Sequence, residues 1–142
     1  MAPVPGVVTP YPLAMVVCDG LWRDPYTGKL TLIGMFSVLH GVQFPLILPI
    51  FSVYVALTDG RGNMPARIEL TDVDEENEPI FNLDQEIQFV DPRIVGELIF
   101  EVRDVQFPHP GEFRLKLFAN EEFLTERRII VFDASQEGEN HE

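Results

Sequence analysis

The sequence predicts an all-β fold: an antiparallel two-sheet sandwich, immunoglobulin-like or of a similar Greek-key type, with about eight strands. Three observations predict it. Short segments alternate between apolar and polar residues with the period of two that β-strands require. Turn signals recur roughly every 8 to 12 residues, and the 12 prolines and 10 glycines suit those turns. No convincing long helical pattern interrupts these segments.

The clearest element is a hairpin over residues 107–132. Phe113, Leu115 and Leu117 point to one side, and charged residues between them point to the other. A turn is expected at 119–122, after which Ile129 and Val131 resume the alternation. This hairpin is expected to close the domain.

The earlier strands are predicted in order at 13–17, 29–39, 51–58, 67–71, 80–90 and 98–102, with turns at 24–28 and 59–63. Strand 29–39 is apolar on both faces, so it is either central and covered twice or half-covered by a partner chain. Segment 80–90 fits both a helical stripe and a strand, and its aromatic and β-branched residues favour the strand.

The domain organisation follows from composition. Residues 1–10 contain three prolines and predict an extended arm, residues 11–132 predict a single β-sandwich domain, and residues 133–142 predict an acidic disordered tail. One cysteine cannot form an internal disulfide, and the first residues lack a signal-peptide pattern. The longest apolar run, 44–57, is too short for a membrane-spanning helix. A cytoplasmic location is therefore expected.

The charge limits the classes of partner. Ten basic residues against 23 acidic residues give a net charge of −13. Such a chain repels phosphate backbones and anionic bilayers, and it has no basic cluster to overcome that repulsion. The sequence therefore predicts no nucleic-acid or membrane binding, and a protein partner or self-association instead.

The residues suited to catalysis do not form a recognisable motif. Cys18 lies in an apolar strand, His40 ends a strand, and His109 lies between two prolines. The patterns typical of hydrolases, zinc proteases and phosphate-binding loops are missing from the sequence. We therefore predict a protein that is not an enzyme and that uses no cofactor.

The acidic loop 72–78 supplies candidate metal ligands, of which Asp72, Asp74 and Glu76 are the first choices. The segment does not match an EF-hand calcium loop starting at Asp72, because Asn77 and Leu83 occupy the positions that need glycine and glutamate. A solvated acidic tip that prevents edge-to-edge pairing is the favoured interpretation. A small-ligand or divalent-metal-binding sandwich is the alternative function.

The apolar segment 44–51 is the main candidate for partner binding. Its prolines oppose a central strand, and an exposed apolar loop marks an interaction site. A loop that folds back to plug the open end of the sandwich is the competing interpretation. The predicted function is a non-catalytic interaction or assembly module that uses a sheet edge and this loop, through Phe44, Leu46, Ile47, Leu48 and Ile50.

Two sequence patterns carry a resemblance to a known family. One is D-x-x-x-R-D-x-x-T-G-K-x-x-L-I-G-x-F from Asp19 to Phe36, and the other is P-G-x-F followed by E-R at Glu126 and Arg127. Over residues 13–132 the chain resembles a family of small bacterial proteins described only as a domain of unknown function. The resemblance implies a self-contained domain and supplies no activity, cofactor or catalytic residue.

Overall fold

The computed structural model describes residues 6–75 and 78–137, and it confirms an all-β chain with two sheets and nine strands. One helical turn follows the last strand. The elements are β1 (Tyr11–Arg23), β2 (Leu30–Met35), β3 (Val38–Gly41), β4 (Leu46–Thr58), β5 (Gly62–Asp72), β6 (Phe81–Phe89), β7 (Gly96–Phe107), β8 (Gly111–Ala119), β9 (Glu122–Asp133) and α1 (Ala134–Glu137).

The strands form a first sheet in the order β2-β1-β4-β7 and a second sheet in the order β3-β9-β8-β5-β6. Neighbouring strands are antiparallel except β3 and β9, which run parallel from Val38 opposite Ile130 to Gly41 opposite Asp133. The prediction of a wholly antiparallel fold is therefore wrong at this one pair.

The parallel pair exists because the chain changes sheets between β2 and β3. The Phe36 amide donates to the Val17 carbonyl of the first sheet, and the Ile130 amide donates to the Ser37 carbonyl from the second sheet, both at 3.0 Å. The single strand predicted at 29–39 is thus two strands, each at the edge of a different sheet. Because the chain does not reverse between them, β3 meets the last strand in a parallel direction.

Buried side chains from both sheets form one hydrophobic cluster. Phe51 and Phe100 enter it from the first sheet, and Phe113 enters it from the second. The rings of Phe107 and Phe113 meet edge to face with centroids 5.0 Å apart. Each such side chain stabilises the fold by roughly 1.5–3 kcal/mol through removal of apolar surface from water.

The predicted closing hairpin is confirmed as β8 and β9. Phe113, Leu115 and Leu117 are buried, as their alternation predicts. The turn places Asn120 and Glu121 at φ of 51° and 64°, as a two-residue type I′ turn requires. The strand interpretation of segment 80–90 is also correct, because β6 occupies Phe81–Phe89.

Described residues of the predicted arm and tail contact the sheets or continue them. The backbone of Val8, in the predicted arm, exchanges two hydrogen bonds with Arg61 at 3.1 and 3.2 Å. Strand β9 continues to Asp133 and α1 occupies 134–137, within the segment predicted to be the acidic tail, and the last residues of that segment lie outside the described part of the chain. Within the described residues, none of the helical structure is long and apolar enough to cross a bilayer.

Candidate functional site

The conspicuous polar motif from Arg23 to Lys29 builds the turn between β1 and β2. The Arg23 guanidinium donates to the Gly28 carbonyl at 2.6 Å, and the Asp24 carboxylate accepts the Tyr26 amide at 2.8 Å. That backbone hydrogen bond is the main reason why the pKa of Asp24 is lowered. Gly28 has a φ of +73°, which glycine adopts without strain. The motif therefore has a structural role in shaping this hairpin.

One side of the β1–β2 hairpin lies over the outer surface of β4 and β7. Leu30 and Leu32 line a cavity of about 430 Å³ together with Tyr54 and Glu97. The Tyr54 hydroxyl donates to the Glu97 carboxylate. Burial, followed by this carboxylate, raises the pKa of Tyr54 to about 12. An adjoining cavity of about 370 Å³ is lined by residues that include Leu30 and Ile50. Both cavities are open grooves rather than enclosed ligand sites.

The opposite side of the hairpin exposes large apolar side chains. Ile33 and Met35 alternate with the covered leucines and are 52% and 67% exposed. The register places Trp22, which is 53% exposed, diagonally across from Ile33. Gly20 pairs with Ile33, and a Cβ atom built on Gly20 would meet nothing within 4 Å. We call Trp22, Ile33 and Met35 the hairpin face.

Strand β2 is also the least protected edge of the two sheets. Its sequence, LTLIGM, contains no charged residue and no proline. In contrast, β6 carries Asp84 and Glu86, and its Gln85 side chain donates to the Ile99 carbonyl of β7 at 2.6 Å. The remaining edges are β7, which carries Glu101, Arg103 and Asp104, and β3, which is only four residues long. The hairpin therefore combines an apolar exposed side with an edge that lacks the usual protection.

The outer side of the second sheet is different in character. Arg67 contacts Glu69 at 2.7 Å, and its guanidinium lies 4.5 Å from the centre of the Phe118 ring. On the neighbouring strands, Arg114 contacts Glu126 at 2.7 Å. These ion pairs make that surface polar, so the apolar surface of the hairpin face is not a general property of the fold.

Segment 44–51 is a β-strand from Leu46 onward rather than a loop, which corrects the prediction. Strand β4 begins at Leu46 and pairs with β7 from Leu46 onward, whereas its pairing with β1 reaches only Ser52. Pro49 is tolerated because its missing amide breaks no hydrogen bond to β1.

The five predicted partner-binding residues of this segment separate into two groups. Phe44, Leu46 and Leu48 pack against the core, as the competing plug interpretation requires. Ile47 and Ile50 are 53% and 44% exposed. The structure therefore does not assemble the five side chains into one surface. Of the hairpin face, Ile33 and Met35 lie in segment 29–39, which was predicted to be apolar on both faces, whereas nothing in the sequence marked Trp22 as part of an exposed surface.

The acidic loop contains a second candidate site, with a histidine that the sequence did not associate with it. Asp72, at the end of β5, accepts the Asp74 amide at 3.0 Å and lies 2.5 Å from His109 Nε2. His109 Nδ1 lies 2.6 Å from the Pro110 carbonyl oxygen. The Pro110 carbonyl and then the Asp72 carboxylate raise the pKa of His109. Glu76, the third predicted ligand, lies outside the described residues.

The other residues considered for catalysis lie apart from this site. Cys18 is buried in β1, and burial is the main reason why its thiol pKa is raised. The His40 ring stacks on Phe132 with centroids 5.6 Å apart, at the edge of the second sheet. Asp19, which would need a cationic partner if buried, is exposed.

Comparison with known proteins identifies a family for the chain but gives no activity. Residues 13–132 match the model of a family of unknown function, DUF6941. No curated protein matches the chain. The match covers nearly all of the two sheets, so the chain belongs to the DUF6941 family of unknown function.

Proposed function

We propose that this protein is a non-catalytic interaction module that binds another protein through the edge of β2 and the hairpin face. One observation carries the proposal: β2 is an uncharged edge strand whose outward side exposes Ile33 and Met35. Exposed apolar surface next to an unprotected edge is the arrangement that strand addition uses.

In this proposal, an extended segment of the partner pairs with the β2 backbone and supplies apolar side chains to the hairpin face. Full burial of an isoleucine or methionine side chain is worth roughly 1.5–3 kcal/mol. Because Ile33 is 52% exposed and Met35 is 67% exposed, docking adds roughly 1–2 kcal/mol for each of them. The backbone hydrogen bonds then set the direction of the partner strand.

The charge of the chain selects the kind of partner. At a net charge of −13, two copies repel each other at low ionic strength, whereas a basic protein is attracted. We therefore infer a basic partner with an apolar strand rather than a second copy. Self-association is an outcome that the experiment below distinguishes.

We infer that the two sheets stack as a sandwich, because one buried cluster takes side chains from both. This stacking gives the hairpin a rigid support. The immunoglobulin-like connection pattern, a bacterial source and a cytoplasmic location remain predictions.

The test compares two variants of the full chain. Ile33→Lys alters the hairpin face, and Val90→Lys makes the same change at a side chain that is 85% exposed after β6. A partner is captured from an extract of the source cells, identified by mass spectrometry, purified and bound again. We expect at least about a tenfold loss of affinity for Ile33→Lys, since burying an unpaired ammonium costs more than the roughly 1.4 kcal/mol that a tenfold change requires.

Hydrogen exchange on the purified complex provides the second measurement. We expect slower exchange of the β2 amides on binding, and unchanged affinity for Val90→Lys. A complex in which Ile33→Lys binds normally and the β2 amides exchange as in the free protein would refute the proposal. A concentration-dependent dimer that Ile33→Lys abolishes, measured by light scattering, would replace the basic partner by a second copy.

A further inference from the structure

We propose that Asp72, Asp74 and His109 bind a divalent transition-metal ion such as zinc, in a function separate from partner binding at the hairpin. Each residue offers one ligand atom, and these atoms all lie within 4.8 Å of one another. The pairing of β5 with β8 places Asp72 opposite Phe113, which brings the turn containing His109 to the end of β5. The site therefore combines two separate parts of the chain.

The histidine is oriented as metal-binding histidines usually are. Its Nδ1 lies 2.6 Å from the Pro110 carbonyl oxygen, so Nδ1 carries the hydrogen and donates it there. Metal-ligating imidazoles usually donate their other ring N–H to a carbonyl or carboxylate, which fixes the ring and the tautomer. The remaining nitrogen, Nε2, points at Asp72. The Phe113 ring, with its centroid 5.6 Å away, packs beside the imidazole.

The two carboxylates would approach the ion from different sides, Asp72 from the protein interior and Asp74 from the solvent. The Asp72 side chain is only 7% exposed, and the Asp74 amide holds its Oδ1, so Oδ2 is the atom directed at His109. Asp74 is exposed and contributes its carboxylate from the solvent side, where a water molecule could complete a fourth position.

An ion would lie between His109 Nε2 and Asp72 Oδ2, which now contact each other directly. Tetrahedral zinc with ligands at about 2.05 Å separates two ligand atoms by roughly 3.3 Å, whereas these two atoms are 2.5 Å apart. The His109 side chain is 38% exposed and can move by the difference. No change in the strands is required.

The ligand types select the ion. An imidazole nitrogen with two carboxylate oxygens suits zinc and neighbouring transition metals. Calcium and magnesium prefer oxygen ligands alone, in larger numbers. The histidine therefore favours a transition-metal ion over calcium, which a loop with oxygen ligands alone would suit better.

Zinc titration by calorimetry on the full chain tests the proposal, with circular dichroism to confirm folding. We expect binding that is tighter for zinc than for calcium or magnesium. Asp74→Asn leaves the His109–Asp72 contact in place and should weaken zinc binding at least about tenfold, since even outer partners of a metal site contribute that much. His109→Asn should abolish it.

The matched control removes the other histidines of the chain, as His40→Ala with His141→Ala, and should bind zinc like the unmodified protein. If zinc affinity were unchanged in the Asp74→Asn variant and in the His109→Asn variant, the proposal would be overturned. Loss of zinc binding in the control would overturn it too. A folded protein that binds no zinc would overturn it as well, and the cluster would then be a hydrogen-bonded clamp on the turn between β7 and β8.

Discussion

Replacing Gly34 by alanine tests whether the β1–β2 hairpin depends on the close approach of the Gly34 backbone to Asp19. Gly34 has a φ of +68°, a conformation that costs an alanine about 1–2 kcal/mol. A Cβ atom there would lie 2.3 Å from Asp19 Oδ2 and 2.9 Å from Asp19 Cγ. The aspartate must therefore leave its rotamer, at a further cost of about 0.5–1.5 kcal/mol.

Alanine also lowers the conformational entropy of the unfolded chain, which stabilises the folded variant by about 0.4–1 kcal/mol. We expect Gly34→Ala to lower the free energy of unfolding by about 2 kcal/mol, a shift of about 1 M in the urea midpoint. Urea unfolding followed by circular dichroism measures it. In an Asp19→Ala background the loss should fall to about 1 kcal/mol, because only the backbone cost remains.

Two results would refute this reasoning. If Gly34→Ala were within about 0.5 kcal/mol of the unmodified protein, the range of an ordinary surface change, the left-handed conformation would not matter at this position. If the two substitutions were additive, Asp19 would not be the group that the new methyl displaces. Either result would also remove the explanation for the aspartate and glycine in the family-like motif.

Two further predictions concern the groove below the hairpin and the core. In an ultraviolet absorbance titration, the Tyr54 phenol should ionise at about pH 12, and Tyr54→Phe should remove that step. Because the pKa of Tyr54 is raised in the folded protein, the neutral phenol stabilises the fold fully below the unfolded pKa of about 10. This stabilisation is lost as the pH rises through about 12. The free energy of unfolding of Tyr54→Phe should therefore fall less between pH 10 and 12 than that of the unmodified protein. Phe107→Ala, at a fully buried ring, should cost about 3–5 kcal/mol in urea unfolding. The matched change Phe123→Ala, at a ring that is 53% exposed, should cost about 1 kcal/mol or less, and equal losses would contradict the assignment of the core.

Local alternation predicted most of the strands but not which strands are neighbours in the sheets. The burial of Phe113 and Leu115 follows directly from their spacing, because one face of a strand meets the core. The change of sheet at Phe36 and Ser37 could not be predicted, since nothing in a period of two marks where a chain leaves one sheet for another. The prolines at 45 and 49 suggested a loop because the sequence does not show that β1 pairs with β4 only as far as Ser52.

The candidate sites illustrate the same limit. Asp72 and Asp74 could be predicted because they lie in one acidic segment of the sequence, whereas His109 joins them only through the pairing of β5 with β8. The hairpin face required knowing that β2 is an edge strand. The apolar residues on both faces of segment 29–39 left two alternatives, a central strand covered twice or a strand half-covered by a partner chain. The structure makes β2 an edge strand with Ile33 and Met35 exposed, which excludes the first alternative for this strand.

The parallel pairing of β3 with β9 has a consequence for the order of folding. Ile130 lies 92 positions after its partner Val38, by subtraction of their numbers, so this ladder closes one of the longest loops in the chain. Contacts of such sequence separation form slowly, because the entropy of loop closure is lost before the contacts are made. On a ribosome, β3 emerges well before the strand that receives it. The second sheet is therefore completed at its edge only when the last strand arrives, and a chain that ends before β9 leaves β3 and β8 without their shared neighbour.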